Sequence, residues 1–300
     1  MKRYSGPLML LLTAMIWGAA FVAQSVGMDY VGPFTFNSAR NFLGAAVLIP
    51  FILIGDRRRT EPQPQKSWRN RELWLAGLIC GVILAVATSL QQLGLIHTTV
   101  GKAGFITTLY VVLVPLLGLF VGKRVRGLMW LCVALAVAGL YFLCMSGSAA
   151  LGVGDLLVLG CAVVYSFHIL AVDHFSPRVD GVKLSFLQFI VSGIISAVPA
   201  VALETNHVTG LLEAWIPLLY AGILSCGVGY TLQILGQQRT DPTVASIVMC
   251  MESVFSVLFG WLLLHQALSP RELGGCALML AAILLSQLPE KRHSPSEQGS

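Results

Sequence analysis

The chain has 300 residues, of which 56% are hydrophobic and only 11% charged, with a mean hydropathy of +0.79; a soluble domain carries about 25% charged residues, so a membrane protein is expected. A formal net charge of +5 suggests a nucleic-acid partner, but the cations lie between apolar runs and not on one patch, so none is expected. The runs are long and uniform, where a transmembrane barrel shows alternating stretches of about ten residues, which makes the fold all-α.

Ten spans follow in chain order. The first, 8–27, comes after Lys2 and Arg3 and looks like a signal peptide, but nine more spans follow and it is read as retained; it carries Trp17. The second, 34–54, contains Arg40 in "TFNSARNFLG". The third, 73–95, holds Gly77-x-x-x-Gly81, read as a packing motif, then Gln91 and Gln92. The fourth, 102–121, starts at Lys102, carries Tyr110 and ends near a second motif, Gly118-x-x-x-Gly122. After 127–145 come 155–173 with His168, 183–203 with Gln188, 214–236 with Gln233, 243–263 with Glu252, and 271–288. The stretch 289–300 is polar and reads as a disordered cytoplasmic tail.

With the N-terminus in the cytoplasm, all of the 19 Lys and Arg except Arg40, Lys102 and Arg271 fall at cytoplasmic positions. The positive-inside rule therefore puts both termini there. Seven cysteines lie inside apolar runs, with no C-x-x-C pair, and read as small buried hydrophobes rather than disulfides or metal ligands.

The chain also matches itself at an offset of about 145. Trp74, Gly81, Gln91 and Gly94 correspond to Trp215, Gly222, Gln233 and Gly236; Ala103, Leu116 and Gly118 correspond to Ala245, Leu258 and Gly260. Each half holds an odd number of spans, so the second, 146–288, enters the membrane upside down relative to the first, 1–145. The charges agree: "KRVR" (123–126) is basic, whereas its counterpart "QALS" (266–269) has no cation. Inverted repeats suit alternating access, since two similar halves can exchange conformations about a central site.

The stretches "GKAGFITTLYVVLVPLLGLFVGKRV" (101–125), "ESVFSVLFGWLLLHQALS" (252–269), "GDLLVLGCAVVYSFHIL" (154–170) and "YTLQILGQQRT" (230–240) together resemble the EamA branch of the drug/metabolite transporter superfamily. The resemblance covers about residues 8–288. It implies ten helices as two inverted five-helix repeats, and a bacterial inner-membrane permease that often exports amino acids or other metabolites. The chain departs from the family's pattern at Gly122-Lys123 and His265-Gln266, where Gly-Glu is common, and at Glu252-Ser253, where Glu-Pro is common.

An ionised carboxylate near the midplane costs about 2.5–3.5 kcal/mol on insertion scales. Glu252 is thus a candidate partner for a substrate amine or a proton, with a structural ion pair or hydrogen-bond anchor as the alternative. Arg40 either snorkels to the interface or binds a substrate carboxylate bidentately. Its repeat counterpart is Gln188. Gln91, Gln92 and Gln233 can serve helix packing, and His168 a helix contact. Two motifs suggest other classes. "GVGD" (152–155) matches an intramembrane aspartyl protease, but no second Asp lies at membrane depth to share a proton; "GVGYT" (227–231) evokes a potassium-channel filter, but lacks its flanking residues and a pore-loop half-helix.

The resulting expectation is a secondary transporter of the cytoplasmic membrane, an exporter of amino acids or similar small metabolites. It is not an enzyme and needs no cofactor or metal. Its site combines Glu252, Arg40, Gln91, Gln92, Gln188 and His168, with Trp17 and Tyr110 lining the cavity. The expected partners are the small-molecule substrate, the lipid bilayer and protons as a coupling ion; nothing in the sequence marks an oligomeric state.

Overall fold

The computed structural model describes residues 5–57, 67–98, 100–120, 122, 125, 127–144, 152–205, 207–264, 270–286 and 288. Lys123, Arg124, Arg126, the stretch 266–269 and the tail at 289–300 lie outside the described residues. All regular structure among the described residues is helical. Seven stretches there are long and apolar enough to cross a membrane: Ser5–Gly27, Pro33–Arg57, Arg71–Leu95, Ala103–Phe120, Val153–Arg178, Gly181–Leu203 and Trp215–Gln237. Gly127–Phe142, Pro242–Ser256 and Leu273–Ser286 are apolar but shorter.

Helix starts follow local side-chain chemistry, because the first turn leaves backbone N–H groups without intrahelical acceptors. Asn70 caps α3 (Arg71–Leu95) by accepting from Glu72 N at 3.0 Å, and Asp180 caps α8 (Gly181–Leu203) by accepting from Val182 N and Lys183 N at 3.0 and 3.1 Å. Asp241 accepts from Thr243 N at 2.9 Å and precedes Pro242, the first residue of α12 (Pro242–Met249). Asp155, the acid of "GVGD", accepts from Gly152 N at 2.9 Å and Thr98 Oγ1 at 2.6 Å, so its carboxylate serves the start of α7 (Val153–Phe175).

Two of the expected spans are interrupted near their middles. The fourth divides into α4 (Val100–Thr107) and α5 (Tyr110–Phe120); the ninth divides into α12 and α13 (Glu252–Leu264). Across both junctions the backbone ladder tightens to i→i−3 bonds, from Leu109 N to Ile106 O and from Met251 N to Val248 O, each 3.2 Å. Hydroxyls crowd the junctions: Thr108 Oγ1 bonds Gly104 O at 3.0 Å and lies 3.2 Å from Ser253 Oγ, which itself bonds Gly104 O at 3.2 Å. Such side-chain bonds to backbone carbonyls compete with the helical ladder, and an apolar run does not disclose them. The eighth span departs differently. Between α10 (Trp215–Leu219) and α11 (Thr231–Gln237), residues Tyr220–Tyr230 wind as a π-helix.

Helix α2 (Pro33–Arg57) packs on α8 and the π-segment; α3 packs on α7 and α8; α1 (Ser5–Gly27) packs on α13, α11 and the π-segment; and α6 (Gly127–Cys144) pairs with α14 (Pro270–Ser286). The first small-residue motif does seat a neighbour: a Cβ on Gly77 or Gly81 would lie 2.5 or 2.6 Å from the Cβ of Leu187 or Val191 on α8. Gly122 of the second motif has open space where its Cβ would be, and a φ of +79°. It therefore serves the chain turn after α5, not packing.

The bundle is tied at two ends. At one, the Glu204 carboxylate accepts from Phe34 N and Thr35 N, at 2.8 and 2.7 Å, at the start of α2. At the other, Lys183 Nζ pairs with Asp56 Oδ1 at 2.8 Å beneath the Trp68 ring, Gln238 Nε2 donates to Ser176 O at 2.6 Å, and Arg239 Nη1 donates to Ser5 Oγ at 3.0 Å. These are called the Glu204 end and the Lys183 end below.

Candidate functional site

Inside the bundle is a small pocket with a cavity volume of about 30 Å³, room for about two waters, so a larger solute enters only if the walls move apart. Five of the residues singled out in the sequence line it: Trp17, Arg40, Gln91, Tyr110 and Glu252. They come from α1, α2, α3, α5 and α13, so the wall exists only when both halves of the chain are assembled.

Arg40 is buried, 2% exposed, and does not snorkel. Its Nη1 donates to Gln24 Oε1 at 2.7 Å, while its Nε has no partner. Gln24 is steadied in turn by donating from Nε2 to Ala20 O at 3.3 Å. Glu252 is 3% exposed and receives a hydrogen bond from Tyr110 Oη to Oε1 at 3.4 Å. As the first residue of α13 it sits where a helix N-terminus favours negative charge, by about 0.3–1 kcal/mol for an exposed group and up to about 2 when partly buried. Among the described residues neither Arg40 nor Glu252 has an ion-pair partner. A buried charge left without its partner is destabilising by about 3–5 kcal/mol, so this pocket holds a guanidinium and a carboxyl group that are not paired with an opposite charge among the described residues.

The remaining wall is polar and aromatic. Gln91 Nε2 donates to Thr107 Oγ1 at 3.3 Å. Trp17 stacks on Tyr230 with ring centroids 4.6 Å apart and donates from Nε1 to Ser225 O at 3.4 Å. Tyr230 Oη is 2.7 Å from Tyr165 Oη, which closes the wall toward the Lys183 end.

The other three expected site residues do not line the cavity. Gln92 is fully buried, and neither of its amide atoms has a hydrogen-bond partner. His168 and Gln188 bond each other at 3.1 Å behind the two tyrosines. Conversely, Gln24, Thr107, Tyr165, Ser225 and Tyr230 line it and were not expected to. Gln24 was legible as a lone amide in an apolar run. Tyr165 and Tyr230 were not, since an aromatic in a helix usually packs, and Ser225 meets Trp17 Nε1 through its backbone carbonyl, which no side-chain pattern discloses.

Gly18 joins the fold to the site. A Cβ there would lie 2.6 Å from Phe255 Cβ, 2.7 Å from Glu252 O and 2.8 Å from Ser256 N, two of them backbone atoms that cannot swing aside. Gly18→Ala is expected to force α1 from α13, destabilising the protein by about 1–3 kcal/mol and displacing Glu252. Thermal unfolding of the detergent-purified variant checks this; an unchanged midpoint would show that the two backbones need not touch.

A model of the EamA-like transporter family matches residues 4–145 and again 152–288. The chain belongs to the EamA-like transporter family. It is 31% identical over 288 residues to an uncharacterized transporter of Archaeoglobus fulgidus, covering 96% of this chain and 87% of that one. It is 28% identical over 299 residues to the threonine/homoserine exporter RhtA of Escherichia coli K12, covering 96% and 93%. A crystal structure with 21% sequence identity superposes with a TM-score of 0.75, covering 95% of this chain and 96% of its own, which shows a shared fold. This EamA-family chain is thus a multi-pass membrane protein of a family whose members move small molecules and whose relatives are named as transporters, not enzymes.

Proposed function

We propose that the protein is a secondary transporter of amino acids or similar small metabolites, working by alternating access about the central cavity. The observation that carries this reading is the presence of Arg40 and Glu252 in the lining of one pocket, each without an ion-pair partner among the described residues. A zwitterion supplies both missing charges at once, its carboxylate to the guanidinium and its ammonium to the carboxylate. The name of RhtA, an exporter of threonine and homoserine, supports both the substrate class and outward transport.

The proposed scaffold is ten spans in two inverted five-helix repeats, 1–145 and 146–288, followed by a cytoplasmic tail at 289–300. The double family match supports the repeats. So do the paired interruptions: Tyr110 opens α5 after one junction, and Glu252 opens α13 after its counterpart. Packing supports them as well, since α1 on α13 and α7 on α5 are exchanged by the repeat relation, as are α2 on the π-segment and α8 on α3. The basic residues Arg57, Arg69, Arg71, Arg178 and Arg239 lie toward the Lys183 end, which we place in the cytoplasm with both termini, in the bacterial inner membrane. Protons are the proposed coupling ion, taken up at Glu252 when no ammonium is bound.

Counterflow in proteoliposomes tests the reading. L-Threonine, L-homoserine and a panel of other α-amino acids are each offered against the same radiolabelled compound. Exchange of at least one is expected, with competition by other zwitterions and none by analogues lacking the α-amino or the α-carboxyl group. Competition by single-charge analogues as strong as by the parent compound would overturn it.

A further inference from the structure

Beyond the Tyr165–Tyr230 bond, away from the cavity, lies a second group of polar side chains. The His168 ring makes edge contacts with both tyrosines, centroids 6.4 Å from Tyr165 and 6.2 Å from Tyr230, and bonds Gln188 at 3.1 Å. With Gln188 Oε1 as the acceptor, His168 Nε2 donates, which leaves Nδ1 as an acceptor. Both residues are fully buried, yet His168 Nδ1 and Gln188 Nε2 have no partner. Toward the same end, on α8 and α11, Ser185 Oγ, Thr231 Oγ1 and Gln233 Oε1 are buried without partners too. Folded proteins leave few such groups unsatisfied. Other such atoms occur elsewhere in the bundle, at Asn37, Gln92, Ser192 and Ser196, so what marks this group is its place directly behind the Tyr165–Tyr230 bond, where a change of state could bring water or solute to it.

The sequence offset that pairs Arg40 with Gln188 pairs Ala20 with His168. In the first half Arg40 bonds Gln24, which is held one turn away by Ala20 O; in the second half Gln188 bonds His168 directly. The two halves therefore carry equivalent polar junctions between equivalent helices, one opening on the cavity and one sealed. The seal toward the Lys183 end is continuous: Thr13 Oγ1 bonds Gly229 O at 3.0 Å, Gln237 Nε2 bonds Ile169 O at 3.0 Å, and Lys183 pairs with Asp56.

We propose that His168 and Gln188 line a second compartment of the transport path, closed in this structure, which opens to the Lys183 end when the bonds Thr13–Gly229, Gln237–Ile169 and Lys183–Asp56 separate, then admits water and small hydrophilic solutes, and is divided from the cavity by the Tyr165–Tyr230 hydrogen bond. This rests on the transporter reading for its purpose, but not on the identity of the substrate. Among the described residues, the contacts of the His168–Gln188 pair are each other and the two tyrosine rings, with no ionised group. A zwitterion is therefore held by charge only in the Arg40–Glu252 cavity and passes the second compartment with hydrogen bonds alone, which makes this side the weaker-binding one.

A single cysteine at Gln188 tests the proposal, in a background with the seven native cysteines replaced. The probe is a membrane-impermeant sulfonated methanethiosulfonate, applied to either side of reconstituted vesicles. Arg178→Cys marks the Lys183 end, and Tyr30→Cys, at an exposed position, marks the Glu204 end. Gln188→Cys is expected to react only from the side that labels Arg178→Cys, and to react about fivefold faster when Gln237→Leu removes the bond to Ile169 O, the population change that one ordinary hydrogen bond supports. Reaction from the Tyr30 side, no reaction from either side, or no response to Gln237→Leu would each overturn it. If Gln188→Cys does not elute as a folded protein, His168→Cys gives the same readout. Because labelling needs no transported compound, failure of the amino-acid reading would leave this result standing, and the reverse.

Discussion

Arg40→Ala is expected to abolish measurable transport of any carboxylate-bearing substrate, with affinity falling by about 100-fold or more. Two charge-assisted hydrogen bonds at about 1.5 kcal/mol or more each set that scale. The guanidinium already has Nη1 tied to Gln24 while Nε is unpartnered, so one edge of the fork is held and another is left to bind. Arg40→Lys keeps the charge but loses the fork and is expected to recover only a small part of the activity. Counterflow and equilibrium binding on protein that elutes as a single species measure both variants. Wild-type uptake by Arg40→Ala would remove Arg40 from the site, and full rescue by Lys would show that charge alone matters.

Glu252→Gln is expected to change function and stability in opposite directions. The amide keeps the shape of the side chain and can still accept from Tyr110 Oη. It removes a carboxylate that has no cationic partner at 3% exposure, so the thermal midpoint should hold or rise, by the equivalent of about 1–3 kcal/mol for relieving an uncompensated buried polar group. Exchange of α-amino acids should fall by about tenfold or more, since a neutral amide does not replace one charged contact worth about 1.5–3 kcal/mol. The double variant Arg40→Ala/Glu252→Gln should be no worse in transport than the poorer single one, because both act on the same bound molecule. A clear fall in the midpoint of Glu252→Gln would identify Glu252 as a structural anchor instead.

The helical class was legible because burial in lipid demands long apolar runs, and runs of that kind are visible in any order of residues. The internal repeat was legible for a similar reason, since Gln91 and Gln233 stand out against an apolar background. The breaks at Thr108–Leu109 and Cys250–Met251 were not, although Thr107, Thr108 and Ser253 were in plain view. A hydroxyl in an apolar helix can bond its own preceding turn without consequence, as Ser166 Oγ does to Ala162 O at 2.7 Å. Only contact between the two junctions, through Thr108 and Ser253, separates the cases.

The lining of the pocket was legible where charge is costly. Arg40 and Glu252 declared themselves because each needs a reason to leave water, and both reach the cavity. Neutral amides divided differently. Gln91 and Gln24 face the cavity, Gln92 does not, and one position along a helix turns a side chain by about 100°. Without knowing which face of α3 is covered by α7 and α8, Gln91 and Gln92 are equivalent on paper.

The stretch from Tyr220 to Tyr230 holds more residues per turn than its flanks, with Tyr230 at its last position. Surplus of this kind is slack: rewinding to the tighter helix shortens no covalent link, yet screws everything downstream about the axis. Thr231–Gln237 would turn with it, and so would the ring that stacks on Trp17. A rigid rod could be moved only by tilting as a whole; this one carries its own swivel beside the pocket.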